Sequence, residues 1–340
     1  MPNSHTRQAT LRDVADLAGV SYQTVWRVVN QHPHVASETR ERVLQVVKEL
    51  DYRPHRAAQV LTTGRSYILQ LIIFEYAYGD PFSSVLHWAR ELGYAVVVTE
   101  LEDPADEDSV REALGEMSQM IDGILMVMPY SLVSYEALRD LCHDRPFVVA
   151  GTELGSKMPS VVFDQWTGMR QVVEHLIAQG HREIAEISGP LENLDAQARH
   201  KAFEVYLGNH GLVPGPQASG DFEVGSGYTA ARRFLDTGKP FTAVVVGNDL
   251  MALGAIRAFR ESGLRVPEDV SVTGYDDIVE AAYFDPPLTT IRQDFELLGR
   301  ESVEYLVALI EDHTIPIQQR VLYPELVVRQ SVHRLSRDRE

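Results

Sequence analysis

Residues 10–30, TLRDVADLAGVSYQTVWRVVN, decide how the rest of the chain is read. Leu11, Val14, Ala15 and Ala18 recur at helical spacing, and the pattern stops at Gly19, where a turn follows. Ser21 is a good N-cap for a second helix whose inward face is Val25, Val28 and Val29, while Tyr22, Gln23 and Arg27 point elsewhere. Two short helices joined by a glycine-containing turn make a helix-turn-helix. A third helix is expected from Ser37 to Leu50. Ser37 caps it, Glu38 and Glu41 suit its positive end, and Val43, Val46, Val47 and Leu50 form one apolar stripe. The expectation is a three-helix bundle over residues 10–54, preceded by a flexible stretch over 1–9.

In such a module the first residues of the second helix meet base edges in the major groove; here these are Tyr22, Gln23 and, one turn later, Arg27. Glutamine bonds adenine twice and arginine bonds guanine twice, each good pair discriminating by roughly 1 to 3 kcal/mol. Ser21, Asn30, His34 and Thr39, with Thr10 at the start of the first helix, are candidates for the surrounding contacts that fix register. From pattern alone a second reading stays open, a packing module whose polar face is merely solvated.

Charge is distributed to match. The formal net charge of −18 argues against a polyanionic partner, but residues 1–65 hold nine Lys and Arg against six Asp and Glu, with four histidines, while the remainder holds 22 against 43. A small basic module, at +3, is joined to an acidic body at −21. At 340 residues the chain exceeds one hydrophobic core, so two or three domains are expected. No apolar run approaches the roughly 18 residues of a membrane span. MPNSHTRQAT lacks the apolar stretch of a signal peptide and Cys142 is alone, so a cytoplasmic protein without disulfides is expected.

The motif T-L-R-D-V-A-x-x-A-G-V-S-x-x-T-V-x-R-V-V-N closely resembles the DNA-binding headpiece of the lac repressor and gal repressor (LacI/GalR) family. The resemblance runs on through Y-R-P-H-R-A-A-Q-V-L and, more loosely, to about residue 334. It implies a hinge within residues 55–65, with a helix over about 56–62 that forms when two subunits lie on an operator. It places His55 and Ala58 among the DNA-contacting residues and Leu61 in the minor groove at the centre of the site. The physics agrees: a seven-residue helix is too short to stand alone in water, and an apolar wedge is a known minor-groove device. Tyr22 and Gln23 match a base-reading pair of the family. Trp26 departs from it, standing where a small polar residue is expected, and puts in doubt the operator contact made there.

From Tyr67 onward short apolar runs alternate with helical segments: YILQLIIF, AVVVTE, GILMVM, FVVAG and SVVF, then EIAEISG, TAVVVGN and VSVTGYD. That alternation means parallel sheets and two doubly wound lobes. Together with what the resemblance implies, the expected fold class is an all-α helix-turn-helix headpiece with a hinge helix, followed by an α/β two-lobed, periplasmic-binding-protein-like effector domain over 66–340. Lobe 1 is expected at about 66–163 and 295–322, lobe 2 at about 164–291 and 323–334.

Ligands of open α/β sheets bind beyond the carboxyl ends of the strands. Asp164, Asn248, Asp249, Asp276 and Asp277 follow strands directly, and Arg199 lies beyond the strand ending ISGP. Singly, Asp249 reads as a helix N-cap and Asp277 as a loop residue; several strand ends together suggest one cleft. The resemblance implies effector contacts for Arg199, Asn248, Asp276 and Asp164, with Phe222 as an aromatic platform. Gly151 departs from it, standing where one sugar-binding member carries an aspartate near its sugar. Phe74, Tyr76, Tyr78 and Phe82 are candidates to close the cleft from lobe 1, or alternatively core. Arginine and carboxylate each bind neighbouring hydroxyls and an aromatic face packs on sugar C–H groups, so a small carbohydrate effector is expected.

No GxxxxGK[ST], GxSxG or HExxH motif is present, so neither an enzyme, a cofactor nor a metal is expected; Cys142 beside His143 reads as structural, and His175 and His181 as flanking a helix end. A regulator answering to a purine or phosphosugar is the nearest alternative. A stand-alone sugar-binding protein is opposed by the first 65 residues. The stretch RQSVHRLSRDRE lacks leucine heptads, which suggests a homodimer on a near-palindromic site.

Overall fold

The structure, a computed structural model, describes residues 9–29, 35–50, 52, 65–74, 81–102, 106–115, 120–127 and 135–335. The chain divides into two compact units, Met1–Ser66 and Tyr67–Glu340.

In the first unit the helices are α1 (Leu11–Ala18), α2 (Tyr22–Val29) and α3 (Ser37–Glu49). Thr10 opens α1 through a capping box: its hydroxyl accepts from the Asp13 amide, and Asp13 accepts from the Thr10 amide at 2.7 Å. Gly19 ends α1 at φ 65, a left-handed conformation that glycine adopts without a Cβ penalty. Ser21 caps α2, its Oγ accepting from Thr24 N at 3.1 Å. The expected cap of α3 is displaced by one residue. Ala36, in an extended conformation, offers its carbonyl to Arg40 N, and Ser37 is already the first helical residue. Val14, Ala15, Ala18, Val25, Val28, Val43 and Val46 fill the centre, joined by Tyr52 from beyond α3.

The strands of the second unit are β1 (Ile68–Ile73), β2 (Ala95–Glu100), β3 (Gly123–Val127), β4 (Phe147–Ala150), β5 (Ser160–Phe163), β6 (Ile184–Ser188), β7 (Gln217–Ser219), β8 (Ala243–Val246), β9 (Ser271–Thr273), β10 (Thr290–Arg292), β11 (Gln319–Leu322) and β12 (Glu325–Val327). The helices between them are α4 (Phe82–Glu91), α5 (Glu107–Gly115), α6 (Tyr135–Leu141), α7 (Gln165–Ala178), α8 (Leu194–Asn209), α9 (Val224–Thr237), α10 (Asp249–Glu261) and α11 (Phe295–Glu311). One parallel sheet runs β11-β5-β4-β3-β1-β2 and the other β7-β6-β8-β9; β10 and β12 pair antiparallel. The eight strands expected from apolar runs are all present. Of the others, β7, β10 and β12 have three residues each and β11 only half-buried ones, too little for a periodic signal.

Strand alternation sets the cores. In lobe 1, Leu69 and Leu71 face α4 and α11, while Ile72 faces α5 and α6. In lobe 2, Ala185 and Ile187 pack on α9 and α10, while Ile184 packs on α7 and α8. The chain passes between lobes after β5, after β10 and after β11. The third passage is tied to α7, because Gln171 donates to Pro324 O and accepts from Leu326 N, both at 2.9 Å.

Candidate functional site

On α2, Val25 and Val28 are buried, and Ser21, Tyr22, Gln23 and Arg27 are exposed. The expected reading residues therefore share the solvent face of the second helix. Thr39, near the start of α3, is half-buried, and Thr10 is exposed at the start of α1. Asn30, His34, His55, Ala58 and Leu61, and with them the expected hinge helix, lie outside the described residues.

Beyond the strands of lobe 2 a polar ring assembles from distant segments. Arg199, on α8, is 5% exposed. Its Nε donates to Gln165 Oε1 at 3.0 Å and its Nη1 to the Gly247 carbonyl at 2.6 Å. Gln165 in turn donates to Gln293 Oε1 at 2.9 Å, and Gln293 donates to Asp276 Oδ1 at 2.8 Å. Asp276 Oδ1 lies 3.7 Å from Arg199 Nη1, which closes the circuit. The ring of Tyr275 supports the guanidinium from one side, 3.9 Å from its centre.

Backbone geometry aims these groups. Asp276 has φ 109 and Asp277 φ 57, unusual for residues with a Cβ, and the segment is held by Asp276 N donating to Ile291 O at 2.7 Å. Asp277 is more than a loop residue: its carboxylate takes Arg292 at 2.7 Å and Arg329 at 2.6 Å. Phe222, at φ 71, stands over Gly189, where a Cβ would run into its ring. Its carbonyl accepts from Asn248 Nδ2 at 2.9 Å.

Asn248, not Asp249, is the N-cap of α10, its Oδ1 accepting from Met251 N at 2.9 Å. Asp249 is instead a fully buried carboxylate in the first turn, accepting from Ile278 N at 2.9 Å and from Thr290 Oγ1 at 2.5 Å. Burial and the nearby Asp276 hold its pKa well above the usual carboxylate range. Asp164 caps α7 through Thr167 and remains half-buried where the chain first crosses between lobes.

Burial pushes the pKa of Asp276 up to about 6, against the pull of Arg199 and the Gln293 hydrogen bond. Asp195 is also raised, by burial, against Arg199 and Gln165. One buried guanidinium thus faces several carboxyl groups, and donors and acceptors alternate around the ring. Arg199, Asn248, Asp276 and Phe222 are brought together at the strand ends of lobe 2. Phe74 and Phe82, the lobe 1 candidates, are partly buried against the two hydrophobic clusters of that lobe; Tyr76 and Tyr78 lie outside the described residues. Gln165 and Gln293 were not singled out by the sequence. Their one signal is position, since each directly follows a strand end and its aspartate or arginine at a lobe crossing.

Cys142 is buried among lobe 1 side chains, and burial pushes its thiol up to about 12. His181 lies three residues beyond α7, bonded to Thr242 Oγ1 and His333 O. Among the described residues no group of three His, Cys, Asp or Glu could hold a metal ion, and no helix is long and apolar enough to cross a membrane.

Residues 10–55 match the family described as bacterial regulatory proteins, lacI family, and residues 173–332 match the periplasmic binding protein-like domain. The chain is 38% identical over 312 residues to the lactose operon repressor of Escherichia coli (strain K12), a match covering 91% of this chain and 87% of that one. The chain belongs to the lacI family. This lacI-family protein is also 35% identical to the HTH-type transcriptional repressor PurR of Histophilus somni (strain 129Pt), over 96% of its own length and 100% of its relative's. A solved structure of the lac repressor dimer bound to operator and the anti-inducer ONPF superposes with a TM-score of 0.85 at 36% identity, covering 96% of this chain and all of that one. The protein is a DNA-binding transcriptional regulator of the lacI family.

Proposed function

We propose that this protein represses carbohydrate-utilisation genes in the cytoplasm, binding a near-palindromic operator as a dimer and leaving it when a small neutral sugar binds at the Arg199 ring. The observation that carries the sugar reading is the charge of that ring. Its single guanidinium is already engaged by Gln165, Gly247 O and Asp276, and Asp195 lies close to it as a second carboxyl group. A phosphate placed there meets carboxylates rather than cations, whereas sugar hydroxyls both donate and accept. Phe222 supplies an aromatic face beside Asn248. These features favour a neutral polyol over the purine or phosphosugar alternative.

Dimerisation has a surface to use. The turn Val279–Tyr283 packs into the same cluster as α10 through Ile278 and Ala281, yet carries Val279 and Tyr283 outward at 79% and 83% exposure, with Leu253 exposed on α10. Release follows from linkage: a ligand preferring one arrangement of the lobes shifts the balance by its differential affinity alone. The acidic body is repelled by DNA, so operator contact falls to the headpieces and is steeply salt-dependent through them.

Calorimetry of the full-length protein against neutral mono- and disaccharides, sugar phosphates and purine bases tests the effector class. Binding of a neutral sugar that weakens in Asp276→Asn is expected. Binding of a sugar phosphate or purine with no response to any neutral sugar would overturn the reading.

A further inference from the structure

We propose that Trp26 is a specificity-determining residue that reads the C5-methyl group of a thymine in the major groove; this rests on the reading of α2 as the base-contacting helix. Successive residues of an α-helix turn by about 100°. On α2 the buried Val25 and Val28, with half-buried Thr24 and Val29, define the inner side, and the exposed Tyr22, Gln23 and Arg27 define the outer one. Trp26 falls between Tyr22 and Gln23 on that outer arc and is half-exposed.

The three exposed neighbours offer hydrogen bonds to base edges. Trp26 offers a broad apolar ring with one N–H donor and no acceptor. The major-groove feature that matches an apolar ring is the thymine methyl, and contact with it separates T·A from A·T and from both G·C orientations. Trp26 therefore adds to the polar reading of Tyr22, Gln23 and Arg27 a requirement for thymine at one position of each half-site.

The test uses the full-length protein. A palindromic site is first selected from a random library, and each of its thymines is then replaced in turn by deoxyuridine, which removes only the methyl. One position per half-site is expected at which wild type loses about fourfold in affinity per methyl removed, the worth of one buried methyl-sized group. Trp26→Ala should show no penalty there and should select sites without that thymine; Trp26→Phe, which keeps an apolar ring, should retain both. Circular dichroism melts of each variant confirm that the headpiece is folded. A uracil penalty that is absent in wild type, or equal in wild type and Trp26→Ala, overturns the proposal, as does a Trp26→Ala loss equal on operator and random DNA. Failure of the wild-type protein to select any site would instead overturn the reading of α2.

Discussion

The headpiece and the effector body handle polar groups in opposite ways. Among the described residues, the headpiece buries valines, alanines and one tyrosine and leaves charged side chains exposed or half-buried. The body buries ionisable groups: Arg199 and Asp276 in the ring, Asp249 under the loop that follows β9, and Glu186 on β6 held by His200 Nδ1 at 2.7 Å and Gln217 at 3.0 Å. A core of small apolar side chains is insensitive to protonation and to single ion pairs, and its strength scales with methyl groups lost. A buried polar network costs little when complete and a great deal when one member is removed. The difference teaches where each unit is vulnerable.

The largest expected effect is Arg199→Leu, which leaves Asp276 and Asp195 without their cation. Body unfolding in urea should lose about 3 to 5 kcal/mol while the headpiece transition stays in place. Equal shifts in both transitions would break the contrast. In the headpiece, Val25→Ala should cost about 2 kcal/mol in its own melt and leave effector affinity untouched.

Acidification sharpens the contrast. Burial lowers His181 from 6.5 to about 4 in the folded body, so the unfolded chain takes up its proton first and stability is lost as pH falls from about 7 towards 4. Between pH 7 and 5 that loss is about 2 kcal/mol, and His181→Gln should lack it. His200, raised by its Glu186 hydrogen bond, acts in the other direction: its stabilisation is present below the unfolded pKa and disappears as pH rises through the folded one. The smallest effect is Ser21→Ala, which removes the α2 cap and should cost the headpiece about 1 kcal/mol with no change in the body.

The same contrast governs how much was legible in the sequence. The headpiece is built from contiguous periodic helices, so its three elements, its inner face and its outward Tyr22, Gln23 and Arg27 could be read from spacing; only the cap of α3 moved by one residue. The lobes were legible from their apolar strands. The ring and its neighbours were legible in part: Arg199 and Asp276 in the ring, and Asn248 and Phe222 beside it, came from strand ends and family resemblance, whereas Gln165 and Gln293 are 128 residues apart and meet only through two lobe crossings. Nothing local distinguishes a glutamine that closes a buried circuit from one on a surface helix. Asp249 shows the same limit, because the spacing that suggests a cap fits Asn248 equally, and tertiary contacts with Ile278 and Thr290 decide between them.

Operator affinity measured by fluorescence anisotropy on full-length protein, with and without a panel of neutral sugars, tests the central claim most directly. A coupling typical of allosteric proteins, roughly 1 to 3 kcal/mol, predicts that one sugar weakens operator binding by about five- to 150-fold. Tight operator binding that no sugar in the panel alters would contradict the account.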